Sequence, residues 1–480
     1  MKSETLIRST AIAAALVGLC GCTDGDDTNI TIDAPTEIAE TQQQAGTNGG
    51  ISQSCPTWSS ARDQDPMGND VCQLPSEILE DRTLTSDITW YMAGRVTVGN
   101  GNREMSVTEG ELENGSPVVD ATLTINPGTN IVARTGTFAN LLITRGSTIN
   151  AVGTAADPIV FSSDDDGFDG SGEWGGLIIH GYGLHNECLT ADNGTVPCNV
   201  DSEGESGFAG GYTADDDSGD LAYVVVTEGG YEFAPGNEIN GISLVGVGSG
   251  TRMDHIQIDG NSDDGIEFYG GAVNVKYLVL TGNLDDSVDW DEGYQGNLQY
   301  VLVIQSDATE GNAIEADTEG TTDFDSKPTI ANATFIGAGF NDTLWVFKKS
   351  SGGFLVNSIG TVAAGNTSIT QCVNADGAGT QANIGVSLAF SDVIADCTVF
   401  GDAALGAVGV TAVDPQLDAN YAAQAPEASG VALDIPTLNA TYPESVADDV
   451  FLDDTTYLGA VDPAATAPFW YEGWTVEGSL

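Results

Sequence analysis

The segment 253–268, MDHIQIDGNSDDGIEF, aligns without a gap on 275–290, VKYLVLTGNLDDSVDW, so the chain repeats itself every 22 residues. Looser copies flank the pair: YVVV at 223–226 with GISL at 241–244, YVLV at 300–303 with NAIEAD at 312–317, and ATFI at 333–336 with TLWVF at 343–347. Each copy is a short run of alternating apolar and polar residues bounded by Gly, Asn or Asp, which is the mark of a strand. A period of this length built from strands and no helical run specifies a solenoid whose coils touch only their neighbours. Parallel strands stack about 4.8 Å apart along such a solenoid, so equivalent residues form columns. The expected fold is all-β, a parallel β-helix, right-handed by the chirality of parallel β connections.

The same strand pattern sets the limits of the solenoid. It begins near Thr83 and continues through ATLTINPG at 121–128, NLLITRG at 140–146 and PIVFSS at 158–163. A chain of 480 residues usually divides into several domains, but a solenoid extends its core along one axis, and 61 glycines suit its many turns. The coils are expected over 83–413, interrupted by a projecting loop at 181–220 that carries the acidic run Asp215-Asp216-Asp217. Residues 55–82 are expected to form a disulfide-bearing N-terminal cap. The tail, 414–480, has no clear repeat and is expected to cap the C-terminal end, where an uncovered coil would offer an open strand edge.

The first residues carry an address. Basic Lys2 and Arg8 precede an apolar run at 11–19 and then Leu19-Cys20-Gly21-Cys22. That order is a signal peptide over 1–21, and its apolar run is well short of the roughly 20 residues a membrane-spanning helix needs. Leu at −3, Gly at −1 and Cys at +1 resemble the lipobox of bacterial lipoproteins, which implies lipidation of Cys22. Thr23 at +2 is not the aspartate that favours inner-membrane retention in such proteins, so the outer membrane is the expected location. Residues 22–54 are polar and acidic with few large apolar side chains, and read as the lipidated cysteine and a disordered tether. Six cysteines remain, as near neighbours: Cys55 with Cys72, Cys188 with Cys198, Cys372 with Cys397. Without paired CxxC knuckles they read as disulfides of an oxidising compartment. Of the 15 pairings six cysteines allow, the local one closes a single loop or coil in each case.

From about residue 83 to the end, the chain also resembles exported bacterial lipoproteins with the pectin-lyase-like right-handed β-helix. The matching segments are ATLTINPG at 121–128, GEWGGLII at 172–179, NEINGISLVGVGSGT at 237–251, the Asp-Asp repeats, YLGAV at 457–461 and WYEGWT at 470–475. The resemblance implies the fold and no established activity.

Function is narrowed by charge. With 71 acidic against 13 basic residues the formal charge is −58, which excludes nucleic acid and anionic membrane surfaces as partners and favours cations. In the repeats Ile266 and Phe268 flank Glu267, Val288 and Trp290 flank Asp289, and Ile314 precedes Glu315, so these acids form one outward column. Asp264 and Asp286 precede the strands, beside Asp263 and Asp285, while Asp291 and Asp317 extend the face. Carboxylates about 5 Å apart repel unless a divalent cation or hydrogen-bond donors compensate. Asp264, Glu267, Asp286, Asp289, Asp291, Glu315 and Asp317 are therefore candidate Ca²⁺ ligands. The alternative is that the turn aspartates bond their own backbone. Asp263, Asp264, Asp285 and Asp286 are also the candidate acid and base of a polysaccharide hydrolase or lyase, since hydrolases of the polygalacturonase type place aspartates on successive coils. The Gly-His-Gly and Arg-x-Lys motifs of that family are missing here. His255 lies within a strand, His180 and His185 lie far upstream, and the cations available to a lyase are Arg252 and Lys276. A glycan-binding face would use the acids and an outward aromatic such as Trp345, which would otherwise lie under the C-terminal cap. Gly172-Glu173-Trp174 and Lys348-Lys349 read as a turn and a coil edge. A surface-binding protein for glycan, matrix or cations is the expected function, and a carbohydrate-active enzyme the alternative.

Overall fold

The computed structural model describes residues 50–165, 167–188, 196–233, 238–319, 324–397, 409–424, 429–430 and 433–480. All of them belong to the folded unit Gly49–Leu480. The signal peptide, Cys22 and the tether to residue 49 lie outside the described residues.

The chain winds into a parallel β-helix, nearly all-β, with two short helices at Gly377–Asn383 and Ile435–Thr441 among the described residues. The 22-residue repeat is the physical register: Met253 pairs with Val275 and Ile266 with Val288, both parallel. One sheet of ten short strands and one of eighteen wrap the core. Parallel coils already start with Val71–Gln73, which pairs with Thr89–Met92, inside the segment expected to be a cap.

Inward positions stack in columns. Ile242, Ile266, Val288, Ile314 and Trp345 form one, and Leu244, Phe268, Trp290, Ala316 and Phe347 its neighbour. All ten are fully buried. Trp345 is therefore a core residue and not an outward platform. Alternation turns it inward above Ile314, and Gly360 makes room, because a Cβ there would lie 2.7 Å from the indole.

In the larger sheet one residue per coil turns the corner between two strand segments with a left-handed backbone. Tyr223, His255, Tyr277, Tyr300, Asn332, Asn357 and Asp392 have φ between 49° and 60°. Each such residue costs about 1–2 kcal/mol of strain. Stacking offsets part of it: the Tyr223 and Tyr277 rings lie 4.2 and 4.3 Å from that of His255, and Tyr300 lies 4.8 Å from Tyr277. His255 is thus packed in a ladder.

The C-terminal tail lies along the side of the solenoid, over this ladder, where a cap on its end was expected. Trp474 meets Tyr223 and His255 edge-on, Trp470 leans on Tyr277, and Val225, Val279 and Leu302 pack beneath. Gln257 accepts from the Val476 amide, Gln299 from that of Asp453, and Lys276 pairs with Asp453 at 2.9 Å. The aromatic residues of the tail have more apolar surface to bury against the long sheet than one coil end offers. The three local disulfides are formed, with Cα separations of 5.5, 5.3 and 5.4 Å.

Candidate functional site

The outward column of the ten-stranded sheet runs Leu142, Ile178, Ser243, Glu267, Asp289, Glu315, Val346. Acids occupy three successive coils, as expected, but they are not open to solvent: Glu267 and Asp289 are each only 8% exposed. The turn before each strand adds Asp264 and Asp286, both 6% exposed. Oxygens of Asp264, Asp286 and Asp289 lie within 4.8 Å of one another, as do those of Asp263, Asp264 and Asp285. Burial, and then the neighbouring carboxylates, push Asp264, Asp286, Asp289 and Glu267 well above the usual carboxylate range. Asp263 is pushed up to about 8 by the same causes.

The turn aspartates also do what turn aspartates do. Asp264 Oδ1 accepts the Asp286 amide at 3.0 Å, and Asp286 Oδ1 accepts that of Asn312, so each grips the next coil. Asp289 differs, because its Oδ1 is buried without a hydrogen-bond partner. A buried acceptor left unpaired costs about 1–3 kcal/mol, more if charged.

The seven expected cation ligands do not form one centre. At one end, Glu267 accepts from Asn240 Nδ2 at 2.6 Å and from the Tyr269 hydroxyl, which also meets Glu203. At the other, Lys348 Nζ lies 2.6 Å from Glu315, and Lys349 Nζ lies 3.0 Å from Asp317 and 2.7 Å from Glu319. Burial lowers Lys348 but the Glu315 bond more than restores it, so the amine stays protonated. Asp291 joins Asp317 and Glu319 in a further group within 4.8 Å, and burial and Asp317 push it up to about 8. Asp264, Asp286 and Asp289 remain in the middle with no ammonium in contact, although the charge of Lys348 reaches Asp286 and Asp289 and opposes part of their upward shift.

The catalytic candidates fare unevenly. Asp263, Asp264, Asp285 and Asp286 do converge, but Arg252 and Lys276 lie on the other sheet, Lys276 beneath the tail. The cation beside the cluster is Lys348, which stands at the coil edge the sequence suggests, just past the strand Thr343–Phe347. His180 is buried against Ser202 and Ser206, and burial drives its pKa down to about 3. His185 pairs with Glu292 at 2.5 Å.

Glu203 arrives from the loop at 181–220, which was expected to project and whose described residues are bonded back to the coils. Its hairpin, Val200–Ser202 with Gly207–Ala209, is held by Arg145. That fully buried guanidinium donates to the carbonyls of Gly101, Arg103, Cys198, Ala209 and Gly210 and to Asn199 Oδ1. Arg95 adds bonds to the carbonyls of Gly204 and Glu205. Sequence reasoning missed Asn240, Tyr269, Glu203 and the two lysines. The one available signal was Lys348-Lys349, adjacent cations in so acidic a chain.

A family model described as pectate-lyase-like beta helix domain matches residues 112–430. Comparisons with curated proteins and with solved structures return no match.

Proposed function

The chain belongs to the pectate-lyase-like β-helix domain family, and from that premise we propose that it is a binding protein whose acidic column holds a divalent cation, Ca²⁺, and through it a glycan of the cell surface or matrix. The family's fold fits a carbohydrate-related role in general. The observation that carries the cation is the unpartnered Asp289 Oδ1 among three buried carboxylates. An all-oxygen donor set suits a hard cation, which would neutralise the mutual repulsion that otherwise forces proton uptake. Asp264, Asp286 and Asp289 would hold it, with Asp263 and Asp285 beside them. A bound cation supplies a positive point on an acidic face, to which uronate carboxylates and sugar hydroxyls can add oxygen ligands.

In this reading Cys22 carries the lipid, residues 23–49 are the tether, since Ile51 and Ser52 already pair with Asp63 and Arg62 in the folded unit, and the solenoid works outside the cytoplasm at the outer membrane. Radiolabelled palmitate incorporation that is lost in Cys22→Ala tests the anchor. Binding is tested by calorimetric titration of Ca²⁺ into chelator-treated protein, followed by glycan binding with and without Ca²⁺. No heat and no shift in melting temperature would overturn the cation reading. Depolymerisation of polyuronate or neutral glycan, abolished in Asp264→Ala/Asp286→Ala, would replace binding by catalysis.

A further inference from the structure

The acidic face contains three carboxylate groups, two of which share Asp264, with unequal compensation: Asp263, Asp264 and Asp285 form the first. Asp264, Asp286 and Asp289 lie within 4.8 Å of one another, and so do Asp291, Asp317 and Glu319. Among the described residues, only the group of Asp291, Asp317 and Glu319 has ammonium groups in contact with it, while Asp286 and Asp289 feel the charge of Lys348 from farther away. Lys349 Nζ touches Asp317 and Glu319, and Lys348 Nζ lies 2.6 Å from Glu315 and 4.0 Å from Asp317. Asp317 is more buried than Asp264, Asp286 and Asp289, at 3% exposed against 6–8%. Without the lysines it would face the same repulsion and desolvation.

We propose that Lys348 and Lys349 are resident counter-ions that end cation binding on this face, holding Glu315, Asp317, Asp291 and Glu319 out of metal coordination. The backbone places them for this task. The Lys348 amide bonds the Ala316 carbonyl, so Lys348 stands one coil above Asp317 at the foot of the acidic column. An ammonium is a compact charge with three donors, able to satisfy two carboxylates at once. It is tethered, so it occupies the site at any solution composition, whereas a free cation comes and goes with its concentration. One such face therefore carries its exchangeable cation at its centre, with a fixed positive charge beside it. That charge also places a salt-bridge partner for an anionic ligand next to the bound cation.

The inference rests on the cation reading of the Asp264, Asp286 and Asp289 group, and a stoichiometry experiment separates the two. Ca²⁺ binding is measured by equilibrium dialysis on the folded chain, wild type against Lys348→Met/Lys349→Met, with Lys348→Arg/Lys349→Arg as the charge-retaining control. The arginine variant is expected to bind as many ions as wild type, and the methionine variant one more. Lys349→Met alone, which leaves the Lys348 to Glu315 bond in place, is also expected to gain an ion and serves if the double variant does not fold. Should wild type bind none while the methionine variants bind one, the central site is wrong and the counter-ion role stands. Should wild type bind Ca²⁺, Asp289→Asn bind one ion fewer, and neither methionine variant bind more than wild type, the counter-ion role is wrong and the central site stands.

Discussion

Replacing Asp289 by Asn removes one charge from the buried group without changing its shape, and the structure sets the size of the effect. At 4.8 Å two ionised carboxylates repel by about 3.5 kcal/mol at an effective dielectric of 20. Asp289 faces two such partners, so full ionisation would cost about 7 kcal/mol before the charge of Lys348 offsets part of it. Binding a proton at pH 7 to a group with an ordinary pKa near 3.9 costs only about 4 kcal/mol, so the cation-free protein takes up the proton instead. That smaller figure bounds what Asn relieves. Its amide also donates toward the remaining carboxylates, and nothing is lost at Oδ1, which has no partner. Cation-free Asp289→Asn is expected to be about 3–4 kcal/mol more stable at pH 7. For a folded unit of roughly 430 residues, with about 2.1 cal/mol/K of unfolding entropy per residue, this is a rise of about 4 °C in Tm. Wild type in Ca²⁺ at a hundred times its Kd gains about 2.7 kcal/mol, near 3 °C, and the variant should gain almost none. Differential scanning calorimetry in chelator and in excess Ca²⁺ reads both. A variant that melts lower than wild type in chelator, and still responds fully to Ca²⁺, refutes the cation site and its electrostatics together.

The same carboxylates predict a pH profile. Their pKa values are raised in the folded state, with Asp263 and Asp291 pushed up to about 8, so the stability they contribute is complete below about pH 4 and is lost as pH rises toward 8. Melting temperatures in chelator should therefore fall from pH 5 to pH 8, and Ca²⁺ should flatten the slope; a flat chelator profile would contradict the burial of the group. Trp474→Ala strips the aromatic cover from Tyr223 and His255 and is expected to cost about 3–5 kcal/mol of tail docking. Limited proteolysis should then cut within 433–480 while the coils stay intact, and unchanged resistance would show that Trp470 and Asp453 suffice. Arg145→Met leaves six acceptors without their donor and is expected to free the hairpin at about 3–5 kcal/mol. Hydrogen exchange at 198–210 should rise at least tenfold, with the coils unaffected; equal protection would place the hold on the hairpin elsewhere.

The coil stack is legible in the sequence because it is periodic. Strand alternation and a gapless 22-residue repeat carry the register itself, so Met253 over Val275, the inward columns and the outward acids Glu267, Asp289 and Glu315 follow from local pattern alone. Three local disulfides follow from spacing in the same way. What has no period had to wait for the tertiary structure. Insertions lengthen some coils, so Val346, the residue above Glu315, comes 31 positions later, and the lysines that neutralise the lower acids resemble a coil edge. The hairpin with Glu203 and the tail with Trp474 are placed by contacts to residues tens to hundreds of positions away, through Arg145 and through the stacked Tyr and His corner. Those contacts join different side chains once each and leave no repeat to read. Burial of the acids is decided the same way, by what folds over them. The sequence thus determines that carboxylates stack in a column, and only the folded chain decides that, within that column, Asp289 is the one with a buried oxygen left unpartnered.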